Sequence, residues 1–157
     1  MTSRLRPIRL AGSLAVIDSF RRDAVAHFPK EHYGILIGHD AGDTVELVEV
    51  FVPEGVEKFC TTKGINVLHH WLAEADEHAR EMGCSVVGDI HSHPYTRQEL
   101  RCMPLGVDCS PSDQDLRRFP GWRGIIGLVL ITESARKRRR STVHFWGPMI
   151  PVEVELQ

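Results

Sequence analysis

Two histidines one residue apart stand in Ile90-His91-Ser92-His93-Pro94, directly after the apolar run Ser85-Val86-Val87-Gly88-Asp89-Ile90. Side chains on a strand alternate between its faces, so an extended backbone sends both imidazoles to one side and Ser92 to the other. Pro94 biases His93 toward an extended conformation and keeps that arrangement to the end of the run. Two imidazoles on one face can share a metal ion. A catalytic zinc site takes three protein ligands, with nitrogen and carboxylate oxygen as common donors, and keeps one position open for water. A third ligand must come from elsewhere.

The candidates downstream are Asp108, Asp113 and Asp115, in the run Asp108-Cys109-Ser110-Pro111-Ser112-Asp113-Gln114-Asp115. Ser110, Pro111 and Asp113 match a helix start: serine as N-cap, proline as first helical residue, and an acidic side chain three positions after the cap. That gives Ser110 and Asp113 a structural role and leaves Ser112 and Asp115, which share a helix face at i, i+3. Spacing alone leaves the other register, with Ser110 and Asp113 as the functional pair, open.

With these residues placed, a resemblance emerges. His91-Ser92-His93-Pro94 followed by Pro111-Ser112-Asp113-Gln114-Asp115-Leu116 resembles the JAMM motif, HxHP then SxxD, of the MPN/JAB-domain zinc metalloproteases. Upstream, Glu31-His32-Tyr33-Gly34-Ile35-Leu36-Ile37-Gly38 is similar to the family's E-x-x-G-x-L-x-G block, with Glu31, Gly34 and Gly38 matching. The three parts occur in the family's order, and the likeness runs from about residue 12 to residue 131. It implies one Zn2+ per chain held by His91, His93 and Asp115, with Glu31 as general base and Ser112 stabilising the oxyanion.

The same resemblance implies an isopeptidase or peptidase that uses metal-activated water to cleave after the C-terminal glycine of a ubiquitin-like protein. The substrate would be that protein's conjugate to a lysine or its precursor, as in prokaryotic JAB peptidases that accompany conjugation cassettes, including anti-phage systems. The spacing between His93 and Ser112 is longer than the family commonly has, so an insert is expected at about 95–109, where Tyr95, Arg97, Arg101, Met103 and Leu105 are placed to shape a substrate groove. The alternative is a non-catalytic MPN scaffold that binds a protein partner; such relatives usually lack the ligands that this chain keeps.

The elements that must position these residues follow from periodicity. Leu14, Ile17, Phe20, Ala24 and Val25 recur at helical spacing over residues 12–27, ending before Pro29. The run 33–38 and the alternating run 44–52 predict two strands joined through a turn-rich stretch at 39–43. Ile65, Leu68, Leu72, Ala75 and Ala79 predict a helix over 65–82, with Gly83 as its stop. Strands at 85–90 and 125–131 follow, a short helix is expected near Ser110, and further strands flank the basic block, one ending near Glu133 and the next starting near Thr142. This alternation predicts an α/β fold. The resemblance sharpens it to a single MPN/JAB-type domain over 1–157, a mixed β-sheet flanked by helices with cytidine-deaminase-like layering.

Composition agrees with a soluble domain: 157 residues, 42% hydrophobic and 25% charged, enough to bury a core without disulfides. The apolar run Leu14-Ala15-Val16-Ile17 stops at Asp18, too short for a membrane span or signal-peptide core, so a cytoplasmic protein with no membrane partner is expected. The four cysteines form no CxxC pair and are expected as free thiols.

The net charge of −2 hides Arg136-Lys137-Arg138-Arg139-Arg140; removing those five from 19 basic residues leaves 14 against 21 acidic ones. Nothing basic or aromatic supports the block elsewhere in the sequence, so the expectation is a solvated turn and no nucleic-acid partner. His70, Glu74 and His78 are spaced for one helix face and are expected as a polar surface rather than a second metal site. Trp71, Trp122 and Trp146 are expected in packing roles. HxE with PCxxC is absent, which argues against a zinc deaminase, and no GxSxG elbow suggests a serine hydrolase.

Overall fold

The computed structural model describes residues 7–103, 110–112, 115, 124–147 and 152–157. Strand β1 (Ile8–Gly12) leads into helix α1 (Leu14–Ala26), which starts where Ser13 accepts a hydrogen bond from the Ala15 N–H at 3.2 Å. A serine N-cap satisfies one of the first-turn donors, which is why the helix begins there. Ile17, Phe20 and Ala24 form its buried stripe, as the periodicity predicts.

The next run is longer than expected. Strand β2 (Tyr33–Ala41) carries straight through His39 and Asp40 and reverses tightly into β3 (Thr44–Phe51). Gly42 takes a φ of 82°, a left-handed value open to glycine at little cost, and its N–H is held by the Asp40 side chain at 3.2 Å.

Helix α2 (His69–Glu81) starts four residues later than its periodicity suggests. Ile65 instead pairs with Cys60 in an isolated antiparallel bridge around the turn Thr61–Gly64, and tertiary pairing overrides the helical pattern there. The helix does stop where expected, with Gly83 at a φ of 70° just past its end. Strand β4 (Ser85–Tyr95) includes both histidines and is followed by a short helix α3 (Arg97–Arg101) inside the expected insert. Strands β5 (Ile125–Glu133), β6 (Arg139–Trp146) and β7 (Val152–Leu156) follow, and a 3-10 turn over Val56–Phe59 lies between β3 and α2. Strands β1 and β7 and helix α3 have no counterpart in the sequence reading, and β6 begins three residues before Thr142, taking Arg139 and Arg140 into the strand. The helix expected near Ser110 falls mostly outside the described residues, as do Asp108, Asp113, Leu105, Cys109 and Trp122.

The strands form one mixed seven-stranded sheet in the order β6-β5-β4-β2-β3-β1-β7, with β4 and β5 parallel and β2 and β4 antiparallel. Gly88 is where β5 joins β4: a side chain there would run into the Ile125 carbonyl oxygen. Helix α1 covers one face over a core that includes Leu10, Leu36, Ile90 and Val129, and α2 covers the other over Tyr33, Ile35, Ile37 and Trp71. Each fully buried side chain of this size contributes about 1.5–3 kcal/mol.

An irregularity in the β2–β4 pairing sets which face the histidines use. Leu36 pairs with Gly88 but Ile37 pairs with Val86, so Val87 is an extra residue that turns into the α1 core while Val86 faces α2. Beyond this bulge Asp89 lies opposite Ile35 and His91 opposite Tyr33, both residues of the α2 face. The bulge thus aims His91 and His93 to the α2 side.

Candidate metal centre

His91 and His93 leave β4 on one face, and Ser92 between them is fully buried on the other. Ser92 is bonded twice to the chain next to it. Its hydroxyl accepts from the His32 N–H at 2.8 Å, and its own N–H donates to the His32 carbonyl at 3.0 Å. These bonds continue the β2–β4 ladder past Tyr33, and the same register sets Glu31 opposite His93. Glu31 is anchored from its other side too, since its N–H donates to the Thr61 carbonyl at 2.8 Å.

The two imidazoles converge on Asp115. His91 Nε2 lies 2.9 Å from His93 Nε2 and 3.0 Å from Asp115 Oδ1, and His93 Nε2 lies 3.3 Å from Asp115 Oδ2. Nitrogens bound at zinc distances and tetrahedral angles lie about 3.3 Å apart, close to these spacings. The two imidazoles and one carboxylate, with side chains 1%, 14% and 5% exposed, form a group that could hold a metal ion, and their donor types are common at zinc. Among the described residues no other group of three metal-ligating side chains converges in this way.

Asp115 is held as a carboxylate. Burial pushes its pKa up, but hydrogen bonds from His91 and His93, with a further one from the Ser112 N–H, outweigh that and hold it well below the usual carboxylate range.

Ser112 and Asp115 are also bonded reciprocally: the Ser112 N–H donates to Asp115 Oδ2 at 2.8 Å, and the Asp115 N–H donates to Ser112 Oγ at 3.2 Å. This is the pattern of a capping box, with serine as the cap and an acidic residue three positions on. The pair expected at the site, Ser112 and Asp115, is thus also a capping pair; the Ser110–Asp113 register falls on Asp113, outside the described residues. The sequence S-x-x-D occurs twice in succession here, at Ser110–Asp113 and Ser112–Asp115, so local spacing could not choose between them.

The cluster opens into a groove of about 430 Å³, lined by Glu31, His93, Ser112 and Asp115 together with Thr62, Lys63, Gly64, Pro94, Tyr95 and Glu99. Four of the five expected site residues thus share one groove wall system, and the fifth, His91, lies beneath it at 1% exposure. The Thr62–Gly64 turn and Glu99 are additions that the sequence reading missed. Glu99 carried a signal, because Thr96-x-x-Glu99 is a capping box, seen here as Thr96 accepting from the Glu99 N–H at 3.2 Å and Glu99 accepting from the Thr96 N–H at 3.3 Å. Lys63 carried none, since only the docking of its turn on Glu31 brings it to the site.

Within the insert, Tyr95 lines the groove as expected, but Arg97 turns away to the Ala135 carbonyl at 3.4 Å. The helical stripe is partly engaged elsewhere: His78 Nε2 lies 2.8 Å from the Glu49 carboxylate and its ring packs against Phe51. Cys60, Cys84 and Cys102 are free thiols. Trp71 is buried against Tyr33 and Phe59, whereas Trp146 is 39% exposed.

Comparison with known proteins fits this geometry. The sequence profile of the prokaryotic homologs of the JAB domain matches residues 13–101, a stretch that takes in Glu31, His91 and His93 and ends before Ser112 and Asp115. No curated protein matches the chain. Among solved structures, the solution structure of protein DSY2949 from Desulfitobacterium hafniense is similar over 94% of both chains, with 15% identity and a TM-score of 0.58. At that identity the likeness is one of fold.

Proposed function

Since this chain belongs to the family of prokaryotic homologs of the JAB domain, we propose that it is a zinc-dependent peptidase or isopeptidase that cleaves after the C-terminal glycine of a ubiquitin-like protein. The observation that carries this reading is the convergence of His91, His93 and Asp115 at the floor of a groove that also holds Glu31 and Ser112. A non-catalytic scaffold has no use for a buried three-donor cluster with a carboxylate and a hydroxyl beside it. The ubiquitin-like substrate, a role in an anti-phage conjugation system and a cytoplasmic setting rest on family membership. No helix among the described residues is long and apolar enough to cross a membrane.

Zinc, when bound, supplies Lewis acidity strong enough to bring the pKa of a water to roughly 7. His91, His93 and Asp115 would hold it. Asp115 cannot swing away, because its carboxylate is pinned by the Ser112 N–H. Glu31 takes the proton of the attacking water and passes it to the leaving amine, general base and then general acid. The Ser112 hydroxyl oxygen accepts from the Asp115 N–H, which leaves its own O–H to donate to the oxyanion of the tetrahedral intermediate. An extended, glycine-ended tail would lie in the groove between the Thr62–Gly64 turn and Tyr95, beside the cluster.

The test is cleavage of fusions in which ubiquitin-like proteins with glycine-ended tails are joined to a reporter peptide, with product masses read directly. The expected result is a new C-terminus at the terminal glycine, abolished by chelation, restored by zinc and absent with Glu31→Gln. Cleavage elsewhere, or equal turnover by Glu31→Gln, would contradict the proposal.

A further inference from the structure

The basic block, whose sequence neighbourhood offers no support, gains it in the fold. Arg139 and Arg140 open β6 and residues 136–138 form the turn before it. Helix α1 brings Arg21 and Arg22 to the same place: with Val25, Arg140, Ser141 and Thr142 they line a cavity of about 520 Å³. Residues more than a hundred positions apart in sequence thus build one cationic surface, and no acidic side chain lines it.

The arginines divide their roles. Arg139 is used within the fold, its guanidinium 4.5 Å above the Phe28 ring and 3.8 Å from the Glu133 carboxylate. Arg21 is paired with Asp18 at 2.8 Å. Among the described residues Arg22 and Arg140 make neither an ion pair nor a side-chain hydrogen bond, so both are available to an outside anion. Ser141 adds a hydroxyl beside them, a donor type that joins arginine in contacts to phosphate oxygens, while the Thr142 hydroxyl lies 2.9 Å from His144 Nε2.

We propose that this surface binds the phosphate backbone of duplex nucleic acid. A protein partner is disfavoured because interface cores are depleted of charge and anchored by aromatic side chains, and the only apolar residue lining this cavity is Val25. The same lining lacks the apolar wedge that would enter a membrane and the aromatic platform on which single-stranded bases stack. Guanidinium and hydroxyl groups without base-reading neighbours fit backbone contact that does not depend on sequence.

The position is also informative. Along the sheet Arg140 pairs with Thr132 and Thr132 with Tyr95 of the metal-site groove, so the Arg140 backbone is two strands away, about 10 Å at ordinary strand spacing, while Arg21 and Arg22 stand on α1, across the sheet from the α2 side that the groove histidines face. The two cavities share no lining residue. Bound nucleic acid would therefore leave the groove open.

The experiment is fluorescence anisotropy of the full chain with a labelled duplex of about 20 base pairs, titrated between about 50 and 200 mM salt. The expected result is binding that weakens as salt rises. Arg22→Ala/Arg140→Ala should lower affinity at low salt by about tenfold or more and reduce the salt slope by about 1.8, which is 0.9 for each lost phosphate contact. Its thermal midpoint and metal content should match those of the wild type, which separates lost binding from lost folding. Three results would overturn the proposal: no binding at the lowest salt, equal binding by the variant, or polyglutamate or phosphatidylserine vesicles retaining the protein where the duplex does not.

Discussion

Histidine appears on both sides of the sheet where β2 and β4 meet, on β4 itself and at His32 just before β2, and the two environments could hardly differ more. On the α2 face, His91 and His93 point their Nε2 atoms at each other and at the Asp115 carboxylate, at the floor of an open groove. On the α1 face, His32 is stacked between Phe20 and His27, with ring centroids 5.0 and 4.4 Å away, and among the described residues neither of its ring nitrogens has a hydrogen-bond partner. Burial, reinforced by the nearby His27, lowers the His32 pKa to about 4, so the ring is neutral and serves as an aromatic spacer. Residue type alone does not make a site: a convergent carboxylate does, and the β4 bulge decides which imidazoles meet it.

Substitutions can sharpen this contrast, and the largest effect is expected on the groove side. Glu31→Gln should lower turnover by about 10²–10⁴-fold while leaving metal content unchanged, because the proposed function gives Glu31 the proton transfer and no place among the ligands. Separate titration of metal and activity checks that split; loss of metal would make Glu31 a ligand. Ser112→Ala should cost roughly 10²–10³-fold in turnover. It should also destabilise the protein by about 1 kcal/mol, since the same hydroxyl caps the Asp115 N–H, and denaturant unfolding would detect that second loss.

On the other face the effect is on stability and pH. The folded pKa of His32 lies below its unfolded value, so between about 6.5 and about 4 the unfolded chain binds more protons. The stabilising contribution of the neutral ring is whole above about pH 6.5 and is lost as pH falls toward about 4, up to ~3 kcal/mol. His32→Phe keeps the stack without a titrating group and should flatten the stability profile across that window with turnover at neutral pH unchanged. An unchanged profile would show that His32 is not the group responsible. The smallest effect is expected at the groove rim, where Thr96→Ala removes a cap worth about 1 kcal/mol to α3 and should leave metal binding intact.

Much of this arrangement was legible in sequence because it is periodic. The stripe Ile17, Phe20, Ala24 gave α1, the His-x-His spacing gave one strand face, and the family resemblance singled out the residues that gather at the groove. The remainder depends on distant partners. Strand β1 is five residues long and β7 is Val-Glu-Val-Glu-Leu; both are strands because they pair in parallel with each other, residues 8–12 against 152–156. The helical pattern at Ile65 gave way to its bridge with Cys60, and Lys63 reached the groove only through that turn. Arg22 and Arg140 were likewise unconnected until the fold set α1 beside β6.

The most direct measurement is zinc content per chain by elemental analysis, comparing the wild type with His93→Ala after both are purified and offered the metal. It does not depend on knowing the substrate. About one zinc in the wild type and little in the variant is the expected result for a site with three protein ligands. Wild-type protein that holds no zinc when supplied with it, or a variant that holds as much, would contradict the metal centre at His91, His93 and Asp115.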